Sequence, residues 1–263
     1  MTWSRARVAG ALGATLLLAA CGTAGSAEPA GTAAPGPGSI TGPITVFAAS
    51  SLTESFTLIA AQFSAAHPGV TVTFNFGASS TLATQITEGA PADVFAAASE
   101  QTMGRVTGAG AATAATVFAT NTLVIATPTA PVTSVTSLAD LAAPGVKVAV
   151  CQPAVPCGAA ARQLFAQNKL TVTPVSEEAD VKAVLSKVVL GEVDAGLVYV
   201  TDVRSAGDTV VGVPIPVDDN VTTAYPIAAL TGSGNAVTAR AFVDYVLSAP
   251  GQQALLRAGF SAQ

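Results

Sequence analysis

From residue 44 onward the chain alternates between two hydrophobic periods. Residues 44–49 (ITVFAA) form a short apolar run bounded by Pro43 and Ser50, as a buried strand does. The next run places Leu52, Phe56, Ile59 and Phe63 at helical spacing and stops near His67-Pro68-Gly69. Residues 70–76 (VTVTFNF) alternate with a period of two, which predicts a strand, and 81–88 follow as a helix. DVFAAAS (93–99) predicts another strand, and TLVIATP (122–128) a further one after a helical stretch. KVAVC (147–151) and DAGLVYV (194–200) complete the strands, with helices expected from about 158 and over 179–190. The last segments, 237–249 and 251–258, have helical spacing.

Strands and helices in this order predict an α/β protein with largely parallel sheets. A chain of 263 residues accommodates two small α/β lobes. TLVIATP is the candidate strand crossing between them, and TTAYPIAAL (222–230) returns the chain. The expected first lobe is therefore 43–121 plus 226–263, and the second is 122–225.

The N-terminus breaks this pattern. Arg5 and Arg7 precede an apolar segment from Val8 to Ala20, too short to span a bilayer and shaped like a signal peptide. It ends in Leu18-Ala19-Ala20-Cys21, which looks like a bacterial lipobox, with Cys21 as the lipidated residue. The alternative is an ordinary signal peptide with an incidental cysteine. Residues 21–42 are rich in Gly, Ala, Ser and Pro, as a flexible tether is. The expected location is therefore the outer face of the cell membrane, with the lipid as the membrane contact.

Export changes the reading of charge and cysteine. Loss of Arg5 and Arg7 leaves nine basic against sixteen acidic residues, a net charge near −7, which disfavours nucleic acid as a partner. Cys151 and Cys157 remain in an oxidising compartment and are expected to be bonded. Their spacing, with His67 as the lone histidine far away, is poor for zinc.

Two stretches stand out. AASSLTESF (48–56) and GASSTLATQI (77–86) each join a small residue, two serines and an amphipathic run where a strand feeds a helix. Ligands of α/β sheets bind beyond the carboxyl ends of strands. First-turn N–H groups there are unpaired, and the helix dipole is positive. One possibility is capping alone: Ser51 stands three residues before Glu54 in a capping-box pattern, and Ser79-Ser80-Thr81 precedes a helix. The other is an anion site built from two helix N-termini side by side, with Ser50 and Ser80 as additional hydroxyls. Such a site offers donors and no acceptors, so it discriminates by size and protonation state.

ITVFAASSLTESF, GASSTLATQITEGAPADVFAAAS, NTLVIATP, EEADVKAVL and GEVDAGLVYVTDV together resemble the molybdate-binding proteins of ABC importers, the ModA family. The resemblance runs from about residue 43 to Gly259-Phe260. It implies a two-lobed periplasmic-binding-protein fold of the class II type, with a hinge and a central cleft that closes over a tetrahedral oxyanion. Serine hydroxyls, backbone amides and a tyrosine hold the ligand in that family, without a cationic side chain. Matched motif by motif, the ligand residues are Ser51, Ser79, Cys157, Val181 and Tyr199. Cys157 and Val181 would act through their backbone N–H groups, and Ser50, Ser80 and Asp180 would stand behind them. The resemblance further implies molybdate or tungstate as ligand, no cofactor, membrane permease subunits as partners, and a monomer. Cys157 departs from the small residue usual in its loop. A bond to Cys151 could fix that loop with its N–H toward the cleft, or could alter the geometry and the selectivity.

Other classes find less support. The elbow G-x-S-x-G of exported hydrolases is absent, since Gly77-Ala78-Ser79 continues to Ser80-Thr81, and no metal-ligand or phosphate-loop motif occurs. Iron binders of this fold want adjacent tyrosines, whereas Tyr199, Tyr225 and Tyr245 are dispersed. Sulfate and phosphate remain alternative oxyanions, sulfate sharing the shape and charge of molybdate. A surface sensor or adhesin is the reading without tight oxyanion binding. Apart from the resemblance, Tyr199 reads as a core tyrosine, and Lys182, Lys187 and Arg162 as residues of solvated helix faces.

Overall fold

The computed structural model describes residues 39–261; the expected signal segment, Cys21 and most of the expected 21–42 tether lie outside the described residues. The first half of the fold is β1 (Gly42–Ala49), α1 (Thr53–Ala66), β2 (Val70–Gly77), α2 (Ser79–Thr87), β3 (Val94–Ala96) and α3 (Glu100–Gly108). β4 (Thr116–Pro128) leads into β5 (Val148–Cys151), α4 (Pro156–Gln167), β6 (Ser176–Glu178), α5 (Val181–Val189), β7 (Ala195–Tyr199), α6 (Val200–Ala206) and β8 (Val210–Val213). β9 (Thr222–Ala229), α7 (Ala236–Leu247) and α8 (Ala249–Ala258) close the chain.

Each lobe is an α/β layer built on three parallel strands. In the first, β2, β1 and β3 lie side by side; in the second, β6, β5 and β7 do. β4 and β9 run antiparallel to their neighbours and join the two trios. β4 is 13 residues long and serves both lobes: Thr116–Thr122 pair with β9, and Leu123–Pro128 pair with β7 and β8. The partner change falls at Thr122-Leu123, just after buried Asn121, which donates from Nδ2 to Thr201 Oγ1 at 2.9 Å. The sequence pattern locates the crossing strand correctly but starts it six residues late.

Hydrophobic packing divides accordingly. One cluster takes side chains from β4 to Val221, among them Leu123, Leu164, Val184 and Leu197. A second joins β1, α1, α7 and α8, and a third lies on the other face of the first sheet around Leu82, Phe95 and Val106. The helical spacing in α1 is realised fully, with Leu52, Phe56, Ile59 and Phe63 all 0 % exposed. Phe56 is the hub of the aromatic packing, its ring centroid 5.6 Å from Phe118, 6.1 Å from Phe242 and 6.3 Å from Phe74. Among the described residues no helix is long and apolar enough to cross a membrane.

Phe56 touches aromatic rings from three other elements, so its neighbours cannot collapse together into the space it leaves. Phe56→Ala is expected to lower the unfolding free energy by about 3–5 kcal/mol. Urea denaturation of the two proteins measures this, and a loss well under 1 kcal/mol would contradict the packing described.

Candidate functional site

β1 and β2 are parallel neighbours in a register that pairs Ala49 with Gly77. Both serine turns therefore leave the sheet at the same level, one after each strand. Ser50 and Ser51 lie in a 3-10 turn (Ser50–Leu52), and Ser79 is the first residue of α2. The second lobe answers with three strand ends of its own. α4 starts at Pro156 after β5, α5 starts at Val181 after β6, and Tyr199 closes β7. Together they enclose a cleft with about 230 Å³ of empty space, its mouth included.

The cleft is lined by Ser50, Ser51, Ser79, Cys157, Asp180, Val181 and Tyr199, with Ala49, Gly77, Ala78 and Ala98 as small residues between them. Seven of the eight residues expected around the ligand thus meet at one place. Ser80 does not line it; its carbonyl accepts a bond from Thr84 Oγ1 on the outer side of α2. Among the described residues no basic side chain lines the cleft.

Neither serine is a helix cap. The residue preceding α1 is Leu52 and that preceding α2 is Ala78, and neither helix has a side-chain cap bond. The capping-box pattern at Ser51 is not realised, because the 3-10 turn shifts the helix start past it and Glu54 points elsewhere. Ser51 Oγ instead meets Tyr225 Oη at 2.9 Å, and Ser79 Oγ accepts the amide of Ala98 at 3.0 Å. Each bond fixes a hydroxyl oxygen. The Ser79 hydroxyl keeps its proton to donate, and Ser51 keeps its own whenever Tyr225 is the donor.

The backbone supplies further donors. The amides of Ser79, Cys157 and Val181 sit in first helical turns, where the helix provides no acceptor. Asp180 turns its carboxylate to the amides of Lys182 and Ala183, at 2.8 and 3.2 Å, and so leaves that of Val181 alone. The Cys151–Cys157 bond ties the end of β5 to the first turn of α4. Beside it, a Cβ on Gly158 would lie 2.0 Å from the carbonyl oxygen of Gln152. Only glycine lets the 151–157 loop fold this closely against the start of α4.

Tyr199 is 1 % exposed, and its hydroxyl has no hydrogen-bond partner among the described residues. An unpaired buried hydroxyl is costly, so a group aimed into a cleft this way has a use there. Burial pushes its pKa well above the ordinary tyrosine value; the Thr223 and Tyr225 hydroxyls nearby offset this in part without meeting it in hydrogen-bonding geometry, and the charge of Asp202 raises it further. The hydroxyl therefore stays protonated and can donate. Its ring stands edge-on to Tyr225, with centroids 6.0 Å apart. The hydroxyls of Ser79 and Tyr199 and the first-turn amides of Ser79, Cys157 and Val181 are thus uncharged donors at the cleft, while the Asp180 carboxylate beside them is turned to the amides of its own helix.

Three participants escape sequence reasoning. Tyr225 reads as an ordinary strand residue, yet it orients Ser51 from 174 positions away. Asp202 is 0 % exposed and accepts the amide of Tyr199 at 3.0 Å, which holds the turn that carries the tyrosine. Lys182, expected on a solvated helix face, reaches Glu54 at 2.8 Å and Asp202 at 3.3 Å. An aspartate three residues after Tyr199 is the one local signal, since that spacing fits a helix-start box.

Burial raises the Asp202 pKa to about 6, against the pull of Lys182 and the Tyr199 amide. Between about pH 4 and 6 the folded chain then keeps a proton that the unfolded chain has released. Stability from this group falls as pH rises through that window, by about 3 kcal/mol in all. Asp202→Asn retains an acceptor for Tyr199 and removes the titration. Unfolding free energies at pH 4, 5 and 7 should therefore favour the variant progressively, relative to the native chain, as pH rises. A constant difference across that range would contradict the buried carboxyl.

Comparison with known proteins bears on the family and the fold. Residues 44–261 match the family model described as bacterial extracellular solute-binding protein. The molybdate-binding protein ModA of Mycobacterium tuberculosis is 45 % identical over 247 residues, 94 % of this chain and 94 % of that protein. The solved periplasmic molybdate-binding protein of Azotobacter vinelandii superposes with a TM-score of 0.74 at 20 % identity, covering 84 % of this chain and 99 % of that one. The sulfate-binding protein SubI of Mycobacterium tuberculosis gives 0.73 at 20 %, covering 84 % and 86 %. At such identities the two structures establish the two-lobed fold alone. These relatives are extracytoplasmic solute-binding proteins and not enzymes. On the family model and the identity across nearly its whole length, the chain belongs to the ModA family of bacterial extracellular solute-binding proteins.

Proposed function

We propose that this chain captures molybdate, and tungstate of nearly equal size, outside the cell and delivers it to an ABC importer. The ligand set is Ser51 and Ser79 from the first lobe with the amides of Cys157 and Val181 and the hydroxyl of Tyr199 from the second. Ser50 and Asp180 line the cleft beside it, and Ser80, turned to the outer side of α2, takes no part. The observation that carries the proposal is the buried, partnerless hydroxyl of Tyr199 in a cleft lined by donors and by no cation. A tetrahedral dianion supplies acceptors on several sides at once and so suits donors that arrive from two lobes. The oxyanion is cargo, and no cofactor is needed.

The lobes are taken as 43–121 plus 226–263 and 122–225, a division supported by the separate hydrophobic clusters. Closure follows from a ligand that touches both lobes and so binds the closed form better. Permease subunits would read that form. A lipid on Cys21 and the tether over 21–42 would keep a monomeric receptor near them. Sulfate is the second reading, because a sulfate binder shares the fold.

Calorimetric titration of residues 43–263 with molybdate, tungstate, sulfate and phosphate tests the proposal. Tight one-to-one binding of the first two with sulfate far weaker is expected. Preference for sulfate would overturn the ligand assignment, and no oxyanion binding by the folded chain would overturn the site. Tyr199→Phe removes one hydrogen bond to a charged ligand, so its molybdate Kd should rise roughly ten- to hundredfold. An unchanged Kd would remove Tyr199 from the ligand set.

A further inference from the structure

The seam between the lobes carries charges that the ligand cleft does not use. Lys182 is the second residue of α5, a helix that buries Val181, Val184 and Val188 in the second lobe's core. Its ammonium donates to both carboxylate oxygens of Glu54, at 2.8 and 2.9 Å. Glu54 stands in the first turn of α1, whose Phe56 and Ile59 belong to the other core. The same ammonium lies 3.0 Å from Ser205 Oγ and 3.3 Å from Asp202 Oδ1, both on α6. Asp202 in turn accepts the amide of Tyr199.

A second cation crosses on the same side. Arg204 of α6 lies against Gly259, just past the C-terminal end of α8, where a Cβ would come 2.7 Å from its Cδ and 2.9 Å from its Nε. That helix end carries unpaired carbonyls and the negative pole of the dipole, which favour a guanidinium nearby. Glu54, Ser205, Arg204 and Arg257 line one shallow pocket that shares Ser51 with the ligand cleft.

We propose that Lys182 is a positioning residue that couples lobe closure to the ligand site, tying Glu54 of the first lobe to the Asp202 carboxylate that holds Tyr199. Arg204 against the α8 terminus is its companion across the seam. This rests on the two-lobe closure proposed above. The bond from Lys182 to Asp202 lies within one lobe and survives opening, whereas the bond to Glu54 is made only when the lobes meet. Lys182 therefore has a resting partner and a closing partner. It leaves no buried carboxylate alone in the open form and adds stability in the closed one. The Glu54 side chain is 52 % exposed and that of Lys182 24 %, so the closing partner is partly screened. It should shift the closed-to-open ratio by about two- to fivefold.

Single-molecule energy transfer between dyes on exposed Glu88→Cys and Val175→Cys, one on each lobe, measures that ratio in the mature chain without ligand. Glu54→Gln should lower it by about two- to fivefold and raise the molybdate Kd by the same factor, chiefly through faster release. The preference for molybdate over sulfate should stay unchanged, since Glu54 does not touch the ligand. Lys182→Gln added to Glu54→Gln should lower the ratio no further. An unaltered ratio in Glu54→Gln would overturn the proposal, and so would a Kd change accompanied by altered selectivity. If the native chain binds no oxyanion, the ligand reading fails, while the ligand-free ratio still decides for or against the clasp.

Discussion

An anion taken out of water has to find its hydration replaced, and in the proposed site no lysine or arginine among the described residues is there to do it. The replacement is geometric: many uncharged donors, each held in direction by the fold. The register of β1 on β2 is the constraint on which the rest depends. It sets Ala49 beside Gly77 and so launches both serine turns from one level of one sheet. A slip of one residue would turn one serine turn away from the other. The β5, β6 and β7 ends repeat the arrangement from the facing lobe, and small residues between the donors let backbone approach the ligand.

The two crossing strands make those halves one molecule. β4 leaves the first sheet and enters the second without interruption, and β9 returns beside it. Tyr225 on β9 sits where the hinge, the first lobe and the site meet: its hydroxyl bonds Ser51, and its ring packs on Tyr199 and Phe260. The crossing strand is thus in direct contact with the proposed ligand groups, so a change in the angle between the lobes would be felt at those donors. Asp202 does the same from the second lobe, a carboxylate without solvent contact that fixes the tyrosine turn.

Much of this was legible in the chain, for identifiable reasons. The Leu52-Phe56-Ile59-Phe63 spacing and the apolar run at 44–49 are signals of burial, and burial is what the fold delivers at those positions. The serine pairs were visible because small residues and hydroxyls at a strand-to-helix turn are unusual together. Seven of the eight residues expected around the ligand came together through the family resemblance. What stayed hidden was short or distant. β6 is Ser176-Glu177-Glu178, with no apolar residue to signal a strand, and β8 (Val210–Val213) buries only its first residue. The Lys182–Glu54 contact joins positions 128 apart, and a lysine in a helix's first turn gives no sign of which carboxylate it will meet. Glu54 itself fits a capping box so well locally that only the tertiary contact reveals its different partner.

The most direct test of a cation-free oxyanion site is where the metal of the oxyanion sits. Crystals of residues 43–263 grown with molybdate, measured for anomalous scattering at the molybdenum edge, would locate it. The expected result is one strong peak between Ser51, Ser79 and Tyr199, within hydrogen-bonding reach of both lobes. A peak beside Arg204 and Arg257, or none in the cleft, would contradict it and return anion recognition to the arginines.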